Sequence, residues 1–344
     1  MITRITLGFA ALLLLGIGAI SPAANAATNI SSCPFTITLP GNYIVTANLT
    51  ATGACILIEA SDVAIDLQGH SITGNGTQEG IVTPTPTQQN IIIANGTIKD
   101  FYIGIALGFD TYVTISNINA MQNLDFGIGL DSNSTVDNSQ ATNNGSPDAD
   151  AGGGGYGIGF AGGNNTVINS PANNNGNGIG FFGDNNTVIN SPANNNAIYG
   201  IAGSGSTTVS NSPANNNGIA GIVSSGGNNT VTNSPANNNM YGIVFEEGND
   251  TIINSPANGN TADGIDIYGG DNTITNSQAN GNKGNGIDIF VYEGNLLTSD
   301  TANGNVGTGL TLGCPSNLFG DTAKGNGTNT VLSGSGCVEL DNNF

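Results

Sequence analysis

Two short segments of the chain each place an aspartate between two isoleucines. Asp266 lies in "GIDIY" and Asp288 lies in "GIDIF", 22 residues further on. Side chains of a strand alternate between its two faces, so each aspartate should face outward while its flanking isoleucines face the core. Glycoside hydrolysis uses such a pair of carboxylates, one as acid and the other as base or nucleophile. Asp266 and Asp288 are therefore the candidate catalytic residues.

Further acidic and aromatic side chains surround this pair. The complete set of predicted ligand- or cation-binding residues is Glu246, Glu247, Asp266, Tyr268, Asp271, Asp288, Tyr292 and Glu293. Like charges at close range raise carboxyl pKa values or recruit a cation. No motif requires a cofactor, and calcium at Asp266 and Asp288 is the cation that this cluster could hold. The competing interpretation is that these are solvated acids on a soluble surface.

The chain contains few residues that could ligate copper. Copper sites favour histidine, methionine and cysteine ligands. After the initiator, the only histidine and methionines are His70, Met121 and Met240. We therefore expect no copper site, and we interpret His70, in the turn-like segment "LQGHSITG", as a structural corner residue.

The elements that position the acidic residues belong to an internal repeat. An alanine, often within "PAN", recurs every 21 to 23 residues, with one longer gap of 31, at Ala120, Ala141, Ala172, Ala193, Ala214, Ala236, Ala257, Ala279, Ala302 and Ala323. Each unit contains a "GI" segment and an "NTVINS"-type segment separated by Gly, Asn and Pro, which suits short strands and excludes helices. The repeat predicts an all-β parallel β-helix of roughly a dozen coils. The long gap adds an insertion near Gly145 to Gly157, in which Asp148 and Asp150 could add cation ligands.

Stacking of the coils converts each repeat position into a column. Six residues before the repeat alanine, threonine recurs at Thr114, Thr135, Thr166, Thr187, Thr208, Thr230, Thr251 and Thr273, and an aliphatic residue follows each of them. Strand alternation places the aliphatic column inside and the threonines outside. The isoleucine of the "GI" segment supplies a second interior column.

Asparagine fills two further columns, three residues before and three residues after the repeat alanine. The first runs from Asn117 to Asn276 and the second from Asn123 to Asn326. Asparagine tolerates the left-handed backbone of a sharp corner, and stacked amides can bond to one another. We expect both columns to serve the structure in these two ways.

The four cysteines lie near the two ends of the chain. Cys33 and Cys55 are 22 residues apart, and Cys314 and Cys337 are 23 residues apart, each close to one coil. Partners on neighbouring coils would have a separation that suits a disulfide. We predict the pairs Cys33–Cys55 and Cys314–Cys337; a zinc site is the alternative, but the cysteines have no histidine nearby in the sequence and no CxxC spacing.

The first residues have the pattern of a secretory signal peptide. Arg4 precedes a short apolar run, and "ANA" at 24–26 resembles a cleavage site. The sequence thus predicts a secreted, periplasmic or cell-surface protein without a membrane span after cleavage. Only three lysines then face 24 acidic residues, which argues against nucleic acid and anionic membranes as partners.

Several segments carry a family resemblance. The segments "PGNYIVTANL", "SDVAIDLQGHSITG", "NIIIANGTIKDF" and "GIAL", followed by the repeated coils, resemble the right-handed parallel β-helix superfamily, also called pectin-lyase-like. More narrowly, they are similar to its CASH-domain group of carbohydrate-binding proteins and sugar hydrolases, which includes NosD-type periplasmic proteins. The resemblance implies a right-handed, single-stranded β-helix, and it implies little about activity because the motifs form the scaffold.

These observations predict a signal peptide at 1–26 and a β-helix domain at 27–344, divided into an N-terminal cap at 27–60, coils at 61–312 and a C-terminal cap at 313–344. We expect a carbohydrate-associated binding or surface-structural role, with a polysaccharide or cell-surface glycan as partner. The alternative is a polysaccharide-degrading enzyme, a glycoside hydrolase or lyase that uses the surface carboxylates. A further alternative is ice binding through the outward threonine column.

Overall fold

The computed structural model describes residues 26–85, 87–145, 154–289 and 292–344. Within these ranges the chain forms 33 β-strands and no helix. The predicted signal peptide lies outside the described residues except for Ala26, and so do Asp148 and Asp150 of the insertion. No helix in the described part of the chain is long and apolar enough to cross a membrane.

One face of the molecule is a parallel sheet of fourteen strands, which we call sheet 1. Its strands contain the "GI" segments, and each pairs in register with the equivalent strand of the next coil. At about 4.8 Å per coil, fourteen strands make a rod about 60 Å long. The strands are Phe35–Ile37, Ile56–Ile58, Ile81–Val82, Ile105–Leu107, Ile128–Leu130, Tyr156–Phe160, Asn177–Phe181, Tyr199–Gly203, Ala220–Ser224, Tyr241–Phe245, Ile265–Ile267, Ile287–Ile289, Thr308–Gly313 and Thr328–Ser333.

The second sheet, sheet 2, contains the "NTVINS"-type strands and the short strands at the repeat alanine. Its nineteen strands also pair in parallel. They are Thr28–Ile30, Gly41–Val45, Leu49–Thr50, Val63–Asp66, Ser71–Thr73, Ile91–Lys99, Thr114–Met121, Thr135–Asp137, Gln140–Thr142, Thr166–Ile168, Ala172–Asn173, Asn186–Ile189, Thr207–Ser210, Thr230–Thr232, Thr251–Ile253, Thr273–Thr275, Leu296–Thr298, Asn317–Phe319 and Val338–Leu340. The predicted parallel β-helix is confirmed, and strands also run through the segments 27–60 and 313–344 that were predicted as caps.

The core consists of the two predicted aliphatic columns together with the repeat alanines. Ile179 of sheet 1, Val188 of sheet 2 and Ala193 are all completely buried in one coil, and the equivalent residues repeat along the rod. The glycine before each isoleucine also faces inward: a Cβ on Gly178 would lie 2.4 Å from the carbonyl oxygen of Gly200. Only glycine fits there because the neighbouring coil approaches too closely for a side chain.

Amide bonds between coils occur in both asparagine columns, as from Asn190 Nδ2 to Asn169 Oδ1 at 3.2 Å in the first, but only the first column has the left-handed backbone that we expected of both. The column before the repeat alanine has left-handed backbone, as at Asn190 with φ 50°, and its side chains are exposed. The column after it is buried from Asn123 to Asn305, and there each backbone N–H donates to the side-chain oxygen of the next coil, as from Asn196 to Asn217 at 2.9 Å. There the left-handed corner residue is the preceding one, Asn195 with φ 58°. A buried amide must satisfy its hydrogen bonds, whereas an exposed corner only needs a residue that tolerates positive φ.

Both predicted disulfides are present. Cys33 pairs with Cys55 at a Cα separation of 4.6 Å, and Cys314 pairs with Cys337 at 5.0 Å. Each bond joins neighbouring coils near one end of the rod. Disulfides persist in oxidising compartments, so the pairing agrees with an exported protein.

Candidate functional site

The outer surface of sheet 1 carries a shallow groove that runs along the rod. In-register pairing aligns the outward position at the middle of each strand. From Ala106 onward this floor column consists of small or aliphatic residues, then two carboxylates, before Thr311 on the next strand: Ala106, Gly129, Gly159, Gly180, Ala202, Val223, Val244, Asp266 and Asp288. A ligand can therefore approach the sheet backbone closely over several coils.

Larger side chains line the two sides of the floor. The first rim lies three residues before the floor position and carries the aromatic residues Phe126, Tyr156, Tyr199 and Tyr241. The second rim lies two residues after the floor position and includes Phe182, Glu246 and Tyr268. Between these rims most floor positions are half-exposed, whereas Gly159, Gly180 and Asp266 are buried, and we call the whole arrangement the sheet 1 groove.

Three aromatic rings form a corner near the insertion, which we call the aromatic platform: Phe126, Tyr156 and Phe182. The rings of Phe126 and Tyr156 lie across the glycines of the next coil, since a Cβ on Gly159 would be 2.5 Å from Phe126 and one on Gly180 would be 2.1 Å from Tyr156. Their centroids are 5.6 Å apart at an interplanar angle of 31°. Phe182 stands at 83° to Tyr156 and is 55% exposed. The platform thus offers two half-exposed rings as a floor and a third ring as a wall.

A cavity of about 350 Å³ opens beside this platform. Phe126, Phe182, Gly129 and Gly159 contribute to its lining, together with the exposed ring of Phe109. Most of the lining is apolar. Such a surface suits the flat, carbon-bound hydrogen face of a ligand rather than an ion.

A second cluster, which we call the acid centre, consists of Glu246, Asp266, Tyr268 and Asp288. Asp266 lies five coils beyond Tyr156 along the same groove. Asp266 is only 7% exposed, and Tyr268 donates a hydrogen bond from its hydroxyl to Asp266 Oδ2 at 3.0 Å. A cavity of about 420 Å³ opens here, lined by Tyr241, Val244, Glu246, Asp266 and Tyr268. Carboxylate and phenol oxygens therefore converge on one solvent-accessible volume.

The surroundings of Asp266 alter its protonation. Burial raises the pKa of Asp266 to about 6, the Tyr268 hydrogen bond opposes this shift, and the charges of Asp263 and Asp288 add to it. The negative charge of Asp266 in turn raises the pKa of Tyr268 to about 12. Asp266 can thus hold or release a proton near neutral pH, while Tyr268 remains a hydrogen-bond donor.

Asp288 lies directly beside Asp266, in register on the next strand. Asn285 Nδ2 donates to Asp288 Oδ2 at 2.6 Å, a bond that stabilises an ionised carboxylate. Asp263, which was not among the predicted site residues, accepts a hydrogen bond at Oδ1 from the backbone N–H of Asn285. Asp263 occupies the rim position that Tyr241 holds one coil earlier. Extending the repeat alignment to the residue before each "GI" would have revealed it.

The structure separates the eight predicted binding residues into two groups. Glu246, Asp266, Tyr268 and Asp288 lie together on sheet 1. The other four lie apart: Glu247 lines a separate polar groove of about 490 Å³, Asp271 and Glu293 are exposed turn residues, and Tyr292 packs against the core. The turn after each sheet 1 strand changes the direction of the chain, so strand alternation no longer predicts where these side chains point.

Metal binding receives no direct support. Across the described ranges, no group of three or more histidine, cysteine, aspartate or glutamate side chains could hold a metal ion. Calcium takes six to eight oxygen ligands, which is more than Asp266 and Asp288 supply. Calcium at this pair remains a prediction.

Comparison with known proteins agrees on the fold. Residues 36–191 match the family model described as a right handed beta helix region. No curated protein matches the sequence.

Among solved structures, the A-module of mannuronan C-5 epimerase AlgE6 from Azotobacter vinelandii has a TM-score of 0.59 and 16% identity, covering 88% of this chain and 90% of that one. The AlgE4 A-module from the same organism has a TM-score of 0.49 and 15% identity over 88% of this chain and 86% of that one. Pectate lyase Pel9A has a TM-score of 0.40 and 18% identity over 83% of this chain and 69% of that one. The family-model match and the AlgE6 module agree that the chain has the fold of a right-handed parallel β-helix, whereas the pectin-lyase-like, CASH-domain and NosD-type assignments remain predictions.

Proposed function

We propose that this chain is an exported carbohydrate-binding protein that holds a neutral polysaccharide in the sheet 1 groove. One observation carries the proposal: the aromatic platform and the acid centre share a single open groove with a floor of small residues. The fold of a mannuronan C-5 epimerase module is compatible with this proposal, because a rod of parallel coils can present a long surface to a long polymer.

The chemistry of the groove matches that of a sugar chain. A pyranose ring has apolar faces of C–H groups and an edge of hydroxyl groups. The half-exposed rings of Phe126 and Tyr156 can pack against such a face, and Phe182 can contact its edge. Carboxylate oxygens at Asp266 and Glu246 accept hydrogen bonds from hydroxyl groups, and Tyr268 both donates and accepts them.

The charge of the protein favours a neutral ligand over an acidic one. The chain has a formal net charge of −20 at pH 7, with four lysine and arginine residues in total. The charged residues of the groove, Glu246, Asp263, Asp266 and Asp288, are all acidic. A polyuronate would be repelled, since a surface of one charge sign lowers the local concentration of like-charged ligands.

Replacing both rings of the platform floor, Phe126→Ala with Tyr156→Ala, is expected to weaken binding to a neutral polysaccharide by about tenfold or more, because central aromatic contacts dominate such interfaces. Affinity electrophoresis against a panel of neutral and acidic polysaccharides measures the effect. Tyr112→Asn is the matched control: Tyr112 is exposed outside the groove, and asparagine tolerates its φ of 59°. Preferential retention by acidic polymers, or equal retention of the double variant, would refute the proposal.

The same assay tests the predicted cation. Asp266→Ala combined with Asp288→Ala should abolish any calcium dependence of binding if the pair holds the ion. Calorimetric titration of calcium into the wild-type protein and this variant gives an independent measurement. Identical calcium binding by both proteins would remove the site.

Hydrolysis of the bound glycan is the second candidate function, and the Asp266–Asp288 pair favours it. Adjacent parallel strands are about 4.8 Å apart, and retaining glycosidases hold their carboxyl groups about 5–5.5 Å apart. The raised pKa of Asp266 suits a general acid, while the Asn285 bond suits Asp288 to the role of nucleophile.

If the pair is catalytic, the wild-type protein should release reducing ends from a polysaccharide that it binds, and Asp266→Asn should reduce the rate by at least about a hundredfold. Unsaturated products would indicate a lyase instead. Tight binding with no product from either protein would leave binding as the function.

Ice binding rests on a different surface. The threonines of sheet 2 are in register from coil to coil, as in Thr166 beside Thr187, which gives a regular outward column. Exposed strands favour threonine for other reasons, so this column supports ice binding less strongly than the groove supports glycan binding. Thermal hysteresis measurements distinguish the two functions.

A further inference from the structure

We propose that the bound glycan is a flat, β-1,4-linked chain in which every second sugar presents the same face to the protein. This inference rests on the proposed glycan-binding function and specifies its ligand. It comes from the spacing of the tyrosines on the first rim, beyond the platform itself.

The tyrosines of the first rim recur at every second coil. Tyr199 is aligned with Ala220 on the next strand, and Ala220 is aligned with Tyr241 on the strand after that. In the other direction, Tyr156 is aligned with Asn177, which precedes Tyr199 by one coil. The order along the rim is therefore tyrosine, asparagine, tyrosine, alanine, tyrosine.

The intervening residues are more buried than the tyrosines. Asn177 is 3% exposed, and its amide donates to the carbonyl oxygen of Gly154. Ala220 is 2% exposed and has no side chain beyond Cβ. Tyr156, Tyr199 and Tyr241 are half-buried, so each has part of its ring accessible. From Tyr156 to Tyr241, a ligand lying along this rim meets one aromatic surface for every two coils, and Phe126 adds a further ring one coil before Tyr156.

Two coils rise by about 9.6 Å. In an extended β-1,4-linked chain each hexose is rotated by about half a turn relative to the last, so the chain is a flat ribbon with a repeat of two sugars. Each hexose spans about the rise of one coil. The same face of the ribbon would therefore return at each tyrosine of the rim, and the ribbon would remain parallel to the straight floor column.

An α-1,4-linked chain would not fit in this way. Such chains curve into a helix, so a segment that contacts one tyrosine bends away from the next. The floor is in register from Ala106 to Asp288 without a break, so it follows the line of the stacked strands. The groove thus selects linkage by shape, while its negative charge selects against acidic sugars.

Isothermal titration with two neutral oligosaccharide series of the same composition tests the inference: β-1,4-linked gluco-oligosaccharides and α-1,4-linked gluco-oligosaccharides of two to eight units. For the β-1,4 series we expect affinity to rise in steps of two sugars, by about threefold to tenfold per step, as each further tyrosine is reached. For the α-1,4 series we expect no such steps and weaker binding at every length.

A swap variant isolates the spacing from the number of rings. Tyr199→Ala combined with Ala220→Tyr moves one ring by one coil, and it should lose as much affinity for the longer β-1,4 chains as Tyr199→Ala alone. Thermal melting of both variants checks that the coils remain folded. If instead the swap restores wild-type affinity, the two-coil spacing is irrelevant and the inference fails.

The outcomes also separate this inference from the proposed function. Equal or stronger binding of the α-1,4 series would overturn the linkage selectivity while leaving neutral glycan binding intact. A smooth rise in affinity with every added sugar would overturn the two-sugar repeat. Retention of no neutral glycan by the wild-type protein would refute both.

Discussion

The free energy of unfolding is expected to fall as the pH rises from about 4 to about 8, and Asp300→Ser should remove the largest single contribution to this fall, above all the part between about pH 6 and pH 8. Asp300 is completely buried, and burial raises its pKa from the ordinary 3.8 to about 8, despite hydrogen bonds from the backbone N–H groups of Ser277 and Thr298. The nearby carboxylate of Asp321 adds to the shift. Among the carboxyl groups of the described residues, Asp300 has the pKa that is raised furthest.

The direction of this pH dependence follows from whether the folded or the unfolded protein keeps the carboxyl proton of Asp300. Between the ordinary and the raised pKa, Asp300 keeps its proton in the folded protein and has lost it in the unfolded chain. Stability therefore declines with rising pH across this window, on the order of 5 kcal/mol for a shift of this size. Asp250 and Asp321, whose pKa values burial raises to about 6, change stability in the same direction over a narrower range.

Serine is the appropriate replacement because the same column contains it in the seven preceding coils, from Ser139 to Ser277. Each of these serines is buried and accepts the backbone N–H of the coil before it, as Ser191 does from Ser170 at 3.0 Å. Denaturant unfolding at pH 4, 6 and 8 measures the effect. The exposed Asp271, replaced by Asn, is the control and should retain the wild-type slope; an unchanged slope in Asp300→Ser would contradict the prediction.

The regular part of the fold was predictable from single positions of the repeat. Val188 and Ile179 could be assigned to the core because each belongs to a column that is aliphatic in every coil, and strand alternation gives the direction of the side chain. Asp266 and Asp288 could be paired for the same reason. The burial of Asp266 was not predictable, because it depends on the rings and acids that surround it on neighbouring coils.

The aromatic platform was missed because its three members do not share one repeat position. Phe126 and Tyr156 belong to the first rim and Phe182 to the second, and the three rings lie on three successive coils. What brings the rings down onto the sheet is the absence of side chains at Gly159 and Gly180. A repeat analysis records these glycines as gaps in a strand pattern, whereas in the structure they are the space that the rings occupy.

The second large effect is expected from Asn239→Asp, which should destabilise the protein by about 3–5 kcal/mol at pH 8 and by far less at pH 4. Asn239 is 1% exposed; its Oδ1 accepts the backbone N–H of Asn217 at 2.7 Å, and its Nδ2 donates to the carbonyl oxygen of Ala214 at 3.1 Å. An ionised aspartate retains the acceptor but directs a second oxygen at a carbonyl. Only the protonated acid, which can donate, replaces the amide.

Asp250 is an aspartate that occurs naturally in a similar buried column, so its replacement by asparagine tests the same effect in the opposite direction. Asp250 occupies a buried column in which Asn272 donates from Nδ2 to the carbonyl oxygen three residues earlier, at 2.6 Å. Asp250 Oδ1 accepts two bonds from Asn229, but its Oδ2 is buried without a hydrogen-bond partner. Asp250→Asn restores the donor, so it should stabilise the protein at pH 8 and change little at pH 4. Opposite, pH-dependent shifts in the denaturation midpoint would establish that buried amides act as donors as well as acceptors; equal shifts at both pH values would show that shape alone matters.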